Sequence, residues 1–187
     1  MILLASKSPR RRELLTLLNI PFSTVEIKDV EESYDEDMSP EEIPQYLSRL
    51  KAAAYKDSLH ESDILITADT IVVLDNKILG KPKDLEEACK MLRSLSGKIH
   101  QVITGVTITT KKTSVTFSTV TEVKFSNLSE SEIEYYVYNF KPLDKAGAYG
   151  IQEWIGAVGV ESINGSFYNV MGLPVHRLHK ELLPFIQ

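Results

Sequence analysis

One long run of β-branched residues limits the folds open to this chain more than any other feature. Residues 63–74 are rich in Ile, Val and Thr, which favour extended strands. We therefore predict a long central strand here, followed by a turn at residues 75–77 and a short strand at Ile78-Leu79. An aspartate, Asp69, stands inside this otherwise apolar strand.

The rest of the chain alternates strand and helix patterns. Short apolar or β-branched runs predict strands, and apolar residues at helical spacing behind capping residues predict helices. The strands are expected at residues 2–5, 23–27, 99–110, 114–125, 157–163 and 167–170, with Asn164-Gly165 as a hairpin turn between the last two. The helices are expected at residues 9–18, 39–54, 84–95 and 129–140, and from residue 173 onward. This order predicts a single α/β domain over residues 1–187, with a mixed sheet flanked by helices.

Composition excludes several classes of partner. The 187 residues carry a formal net charge of −5, so a general affinity for nucleic acid or an acidic membrane is not expected. No apolar run reaches the roughly 18 residues of a membrane span, and the basic residues follow the first apolar run instead of preceding it. The single cysteine, Cys89, cannot form an internal disulfide. We therefore expect a cytoplasmic protein.

A cluster of positive charge at the start of the first helix indicates a small anion. Arg10, Arg11 and Arg12 follow Ser8, a good N-cap, and Pro9. A helix N-terminus disfavours cations, so an anion such as phosphate would compensate them. The same run also fits a solvated basic turn.

The candidate carboxylates are Asp69 in the long strand and Glu31 and Glu32 in an acidic stretch. Aspartate is depleted in strands, so Asp69 is either a cation ligand or general base, or a strand-end residue that caps a neighbouring loop. The acidic stretch is predicted to be a loop, with Asp29, Glu31, Glu32, Asp35, Glu36 and Asp37. Charged loops are usually only solvated.

Two lysines are further candidates for phosphate contacts. Lys51 falls within the apolar stripe of its predicted helix, so it either extends outward to solvent or projects into a cleft. Lys81, in Gly80-Lys81-Pro82, follows the strand of Asp69 closely enough to face the same cleft. Cationic groups from several segments with one or two carboxylates suit a phosphoanhydride better than a peptide or sugar.

Several segments resemble the Maf family of nucleoside triphosphate pyrophosphatases. They occur in the family's order from residue 3 to about residue 175: Ala5-Ser6-Lys7-Ser8-Pro9-Arg10-Arg11-Arg12-Glu13-Leu14-Leu15, Ala68-Asp69-Thr70, Gly80-Lys81-Pro82, Leu95-Ser96-Gly97 with Thr104-Gly105-Val106, Asp144-Lys145-Ala146-Gly147-Ala148-Tyr149-Gly150-Ile151-Gln152, and Met171-Gly172-Leu173-Pro174. The pair Glu153-Trp154 departs from the family, which usually has Gly and a variable residue there.

The resemblance implies a fold, a reaction and residue roles. The fold would be a long, twisted mixed sheet with helices, in two lobes around a cleft, like that of inosine triphosphate pyrophosphatases. The reaction would be hydrolysis of a nucleoside triphosphate to the monophosphate and pyrophosphate with a divalent cation (Mg, Mn or Co). Asp69 would accept a proton from water and, with Glu32, hold the metal. The residues implied to bind phosphates are Ser6, Arg11, Lys51 and Lys81.

Three positions indicate the substrate. Arg10, Thr70 and Gln152 match family members that act on dTTP and UTP, and modified pyrimidine nucleotides are further candidates. The Gln152 amide both donates and accepts, which suits the O4/N3 edge of a pyrimidine. The alternatives are a 7-methyl-GTP pyrophosphatase and a nucleotide-binding regulator of cell division or septum formation. Family members often pair, so a homodimer is an option.

Overall fold

The computed structural model describes residues 1–35 and 37–186, which form a mixed α/β fold around one seven-stranded sheet. Glu36, part of the acidic stretch, and Gln187, the last residue of the predicted domain, lie outside the described residues. The strands are β1 (Ile2–Leu4), β2 (Phe22–Thr24), β3 (Ile64–Leu74), β4 (Lys77–Leu79), β5 (Ile99–Thr109), β6 (Ser114–Phe125) and β7 (Val160–Asn164). Their order is β2-β1-β3-β5-β6-β7, and β4 pairs with β3. The predicted sheet flanked by helices is confirmed.

Helices connect the strands. They are α1 (Pro9–Thr16), α2 (Glu42–Ala53), α3 (Leu85–Leu95), α4 (Glu130–Phe140), α5 (Trp154–Gly159), α6 (Phe167–Met171) and α7 (Val175–Ile186), with short 3₁₀ turns at Lys56–Ser58 and Ala146–Ala148. Three begin at predicted caps: the side chains of Ser8, Asp84 and Ser129 accept hydrogen bonds from the first turns of α1, α3 and α4. None of the helices in the described part of the chain is long and apolar enough to cross a membrane.

The prediction for β3 is confirmed, and its burial explains why. The strand is buried along its length except at Asp69 and Thr70, which are partly exposed. It pairs in parallel with β1, with Leu4 opposite Ile66, and in antiparallel with β4, with Val73 opposite Ile78. The only break in burial along the strand therefore coincides with the residues that the sequence singled out.

The predicted hairpin across Asn164-Gly165 is wrong. Residues 154–159 form α5 and residues 167–171 form α6, and β7 pairs with β6 instead. Ser166 explains the helix after the turn, because its hydroxyl accepts a hydrogen bond from the backbone N–H of Asn169 at 3.3 Å, as an N-cap does. Gly165, at φ 132°, turns the chain into that helix.

Two further predictions differ in detail. The strand expected at residues 23–27 is Phe22–Thr24, which pairs with β1 and is mostly exposed. Ser39 and Glu42 do pair, since the Ser39 hydroxyl donates to Glu42 Oε2 at 2.6 Å. The regular helix nevertheless begins at Glu42, because Ser39 and its neighbours form a turn first.

A close backbone approach brings α2 onto the sheet. A Cβ atom built on Gly105 of β5 would lie 2.3 Å from the carbonyl carbon and oxygen of Pro44 in α2. Only glycine therefore allows this helix to pack at this distance. Because α2 carries Lys51, Gly105 contributes to where that ammonium group lies.

The described chain divides into two compact units. The first contains residues 1–70, 104–119 and 172–187 (of which Glu36 and Gln187 are not described), and the second contains residues 71–103 and 120–171. The first unit is thus assembled from three separate stretches of sequence.

Candidate active site

The first unit brings one partly buried carboxylate and one ammonium group into direct contact. Lys51 Nζ, from the last turn of α2, lies 2.5 Å from Asp69 Oδ1 in the middle of β3. The same Nζ lies 3.0 Å from Glu32 Oε2. Lys51 therefore bridges a strand carboxylate and a loop carboxylate that are 37 residues apart in sequence.

This geometry decides between the alternatives for Asp69 and Lys51. Asp69 does not cap a loop at a strand end, because it lies within β3 and its partner is Lys51. Lys51 does not extend away to solvent, since its side chain is 20% exposed and contacts the carboxylate. The Asp69 side chain keeps 14% of its surface accessible, and its second oxygen makes no hydrogen bond to the described residues. Water can therefore reach this carboxylate.

The Arg11 guanidinium is held by three protein acceptors in the same unit. Its Nε donates to Gly172 O at 2.8 Å, Nη1 donates to Ala68 O at 2.9 Å, and Nη2 donates to Thr70 Oγ1 at 3.0 Å. Arginine has five N–H donors, so two are not used by these bonds. Arg11 thus ties α1 to β3 on either side of Asp69.

Burial also affects the ionisation of Arg11. Loss of hydration lowers the pKa of its guanidinium, while the charge of Asp69 raises it, that of Arg10 lowers it and that of Glu32 raises it. A guanidinium still carries its charge at neutral pH. A fixed cation therefore stands beside the Asp69 carboxylate.

The start of α1 is built on two serines. Ser6 Oγ accepts from Ser8 N at 3.2 Å, and Ser8 Oγ accepts from Arg11 N at 3.4 Å. Ser6 and Arg10 are partly exposed, and Arg12 is exposed. The prediction of a helix capped by Ser8 with three arginines in its first turn is confirmed.

Thr70 connects Arg11 to the neighbouring strand. Its hydroxyl accepts from Arg11 and shares a 2.9 Å hydrogen bond with the hydroxyl of Thr104 in β5. Sequence reasoning singled out Thr70 but missed Thr104 and the carbonyl of Gly172. Both missed residues lie in segments that resemble the family, Thr104-Gly105-Val106 and Met171-Gly172-Leu173-Pro174. That resemblance was the one signal in the sequence that could have identified them.

Lys81 and Gln152 lie in the second unit, and both are exposed. Their segments meet there, because Gly147 N donates to Gly80 O at 3.1 Å. The structure thus groups Ser6, Arg10, Arg11, Glu32, Lys51, Asp69 and Thr70 in the first unit, and Lys81 and Gln152 in the second.

The donor chemistry around Lys51 fits a hard divalent cation. Asp69 and Glu32 direct carboxylate oxygens at one cationic group. No cluster of three or more His, Cys, Asp or Glu residues with metal-binding geometry occurs among residues 1–35 and 37–186. Mg²⁺ is commonly held by one or two carboxylates together with water and substrate phosphates, a donor set that two carboxylates can supply in part.

A carboxylate beside fixed cations suits chemistry on phosphoanhydrides, which depends mainly on positioning and on neutralising phosphate charge. The model of the family described as Maf-like protein matches residues 1–185, and the chain belongs to this family. The predicted family is therefore confirmed.

Relatives and solved structures add two further findings. Proteins named dTTP/UTP pyrophosphatase are similar over nearly the whole chain: 55% identity in Bacteroides thetaiotaomicron (97% of this chain, 94% of that protein), 52% in Porphyromonas gingivalis (98% and 94%) and 51% in Christiangramia forsetii (97% and 92%). Among solved structures, a HAM1 protein from Coxiella burnetii matches with a TM-score of 0.46 and 18% identity, over 68% of this chain and 73% of that one.

Proposed function

We propose that the protein hydrolyses dTTP and UTP to the nucleoside monophosphate and pyrophosphate. The observation that carries the proposal is the contact of Asp69 with Lys51 in the same unit as Arg11, in a chain 51–55% identical to proteins named for this reaction. The predicted activity agrees with the names of these relatives.

Asp69 is the proposed general base. A partly exposed carboxylate with one oxygen bound to Lys51 and the other directed to no described residue has an acceptor site for water. In the proposed step, a water molecule that attacks the α-phosphorus gives a proton to Asp69, and the bond from the α-phosphorus to the bridging oxygen breaks. The leaving group is pyrophosphate.

Lys51 and the basic start of α1 are the proposed phosphate contacts. Phosphoryl transfer depends mainly on positioning and on neutralising charge at the leaving oxygens. Arg11 has two N–H donors beyond its three protein bonds, and Arg10 and Ser6 are accessible in the same turn region. Lys81 is a further proposed phosphate contact.

Glu32 and Asp69 are the proposed ligands of a divalent cation (Mg, Mn or Co). When bound, such a cation neutralises phosphate charge. With both carboxylates then facing the metal, Lys51 would be available to a phosphate oxygen. Dialysis against EDTA should abolish turnover, and added Mg²⁺ should restore it; full turnover in EDTA would contradict this part of the proposal.

Gln152 is the proposed reader of the base. Its exposed amide offers one donor group and one acceptor, as the O4/N3 edge of uracil or thymine requires. Arg10 and Thr70 are the other residues that match pyrimidine-specific members. We expect the enzyme to work on free nucleotides in the cytoplasm, with no nucleic acid partner.

A substrate panel with product identification tests the reaction and the base choice together. Purified protein with Mg²⁺ is incubated with dTTP, UTP, 7-methyl-GTP and the other three common ribonucleoside triphosphates, and products are separated by ion-exchange chromatography. The expected result is monophosphate and pyrophosphate from dTTP and UTP. Tight nucleotide binding without monophosphate would favour a regulator, and preferred cleavage of 7-methyl-GTP would favour the other substrate class.

A further inference from the structure

A tight turn in the second unit carries Gln152. Glu153 N donates to Gly150 O at 3.0 Å, which closes a four-residue turn over residues 150–153 with Gln152 at its third position. Ile151, at the second position, is buried, whereas Gln152 is exposed. We call residues 150–153 the Gln152 turn.

One buried hydroxyl group holds both ends of the Gln152 turn. The Tyr136 hydroxyl, from α4, accepts from Gly150 N at 3.0 Å and donates to Glu153 Oε2. A tyrosine hydroxyl has one donor and acceptor lone pairs, so both bonds form at once. The Tyr136 side chain is fully buried, which fixes the hydroxyl in place.

Lys145 holds the other oxygen of the same carboxylate. Its Nζ lies 3.1 Å from Glu153 Oε1 and 2.8 Å from Asp144 Oδ1, and its side chain is almost completely buried. Both Glu153 oxygens are therefore engaged. The packing is tight, because a Cβ atom on Gly150 would lie 2.9 Å from Lys145 Cε and 3.0 Å from Glu153 Cδ.

The ionisation of Tyr136 is consistent with this arrangement. Burial, and then the hydrogen bond to Glu153, raise the pKa of its phenol well above the ordinary value. The hydroxyl thus keeps its proton at neutral pH and remains a donor to Glu153.

We propose that Tyr136, Glu153 and Lys145 are positioning residues that set base recognition by holding the Gln152 turn. The inference rests on the proposed function, in which Gln152 contacts the base. A hydrogen bond between an amide and a base edge needs a fixed direction, and ordering a mobile side chain during binding lowers affinity. Because the three residues already order the Gln152 turn in the folded protein, that entropy is lost on folding and not on nucleotide binding.

The network has a competing explanation, in which it stabilises the second unit and does nothing for the base. The two explanations differ in their effect on ligands without a base. Loss of stability would weaken every ligand together, whereas loss of positioning would weaken only ligands that contact Gln152. Inorganic tripolyphosphate has the phosphates of the substrate and no base, so it separates the two.

The main test is Tyr136→Phe, with Tyr138→Phe as the matched control. Both tyrosines lie on α4, but Tyr138 is exposed and its hydroxyl has no hydrogen bond to the described residues. For Tyr136→Phe we expect the KM for dTTP to rise about fivefold with kcat nearly unchanged, as for loss of one hydrogen bond that acts on binding. The inhibition constant of tripolyphosphate should not change, and Tyr138→Phe should match the parent protein.

A second variant keeps the test decisive if Tyr136→Phe folds poorly. In Glu153→Gln, an amide nitrogen would face either Lys145 or the Tyr136 hydroxyl proton, so one of the two contacts is lost while volume is preserved. The same rise in KM for dTTP is expected. In a Gln152→Ala background, neither substitution should raise KM further, because residues that act through one group are not additive.

The outcomes separate this inference from the proposed function. Absence of dTTP and UTP cleavage by the parent protein would remove the proposed function itself. If the parent is active and Gln152→Ala raises KM, but Tyr136→Phe and Glu153→Gln do not, the positioning role is wrong. A parallel loss for dTTP and tripolyphosphate would also overturn it and leave a structural role.

Discussion

Each unit of the protein contains a lysine between two carboxylates, and the two groups differ in how the carboxylates are hydrogen-bonded. Lys51 contacts Asp69 and Glu32, whereas Lys145 contacts Glu153 and Asp144. In both, one carboxylate is mostly buried and the other is more than half exposed. The Lys145 side chain is 9% exposed and that of Lys51 is 20% exposed.

The difference lies in the buried carboxylate. Glu153 uses both oxygens, one with Lys145 and one with the Tyr136 hydroxyl. Asp69 uses one oxygen with Lys51, and its other oxygen binds no described residue. A carboxylate with both oxygens bound to protein groups holds structure, and one with an oxygen that no protein group binds can accept a hydrogen bond from water. The completeness of hydrogen bonding separates the two groups more clearly than charge does.

The largest effect should come from removing the charge of Asp69. Asp69→Asn keeps the shape of the side chain but is a poor base, so turnover of dTTP should fall about 10³-fold. Steady-state kinetics measure this, with circular dichroism to establish folding. Asp75→Asn is the control, since Asp75 is exposed in a turn at φ 50°, a conformation that Asn tolerates. Undiminished turnover in Asp69→Asn would show that Asp69 is not the base, and the functional difference from the Glu153 group would be lost.

The next effect concerns the pH response of the second unit. Burial lowers the pKa of His100 from 6.5 to about 4, and its Nε2 shares a hydrogen bond with Tyr149, beside the Gln152 turn. Between pH 6.5 and 4 the unfolded chain binds a proton there that the folded chain does not, so stability falls as pH falls. The full shift corresponds to roughly 3 kcal/mol.

Urea unfolding from pH 7 to 4 measures this loss, with His100→Gln as the comparison. Glutamine keeps a polar group near Tyr149 but does not titrate. Its stability should therefore depend less on pH than that of the parent protein. Parallel pH curves for the two proteins would show that His100 is not the source.

A smaller effect should separate the two lysines. Lys145→Met leaves Glu153 without its cation among buried neighbours, so we expect about 2 kcal/mol loss of unfolding free energy. In Lys51→Met the charge of Arg11 still acts on Asp69, and Lys51 is itself the more exposed of the two lysines, so the stability loss should be about 1 kcal/mol. Urea unfolding of both variants gives the comparison. A larger stability loss for Lys51→Met would reverse the roles assigned to the two groups.

The smallest effect should come from Thr70→Val. The substitution removes one of three acceptors of Arg11 and one hydrogen bond of Thr104, at a cost of about 1 kcal/mol. Gly172 O and Ala68 O still hold the guanidinium. Thermal unfolding measures the change against Thr113→Val, an exposed position. Equal melting temperatures for the two variants would contradict a role for Thr70 in fixing Arg11.

The sequence was sufficient for most elements of the fold because local signals agreed with tertiary packing. The β-branched run predicted β3, and Ser8, Asp84 and Ser129 marked three helix starts. The hairpin at Asn164-Gly165 was wrong because an Asn-Gly turn can lead into a helix as well as into a second strand. The Ser166 side chain begins a helix there, and β6 supplies the partner of β7.

The sequence predicted which residues belong to the candidate site but not which of them contact one another. Asp69 was singled out because an aspartate in an apolar strand needs a partner, but nothing local identified Lys51 as that partner. Thr104 and Gly172 were missed because their contacts with Thr70 and Arg11 span long sequence separations and use a hydroxyl and a backbone carbonyl. Such contacts have no periodicity to detect.

The contact of Gly105 with the Pro44 backbone has a mechanical consequence. Any side chain at residue 105 would push α2 away from β5, and Lys51 travels with that helix. Gly105→Ala would therefore lengthen the separation between an amine and a carboxylate without altering either group. A glycine in β5 thus sets the distance between two charged groups through the packing of the backbone alone.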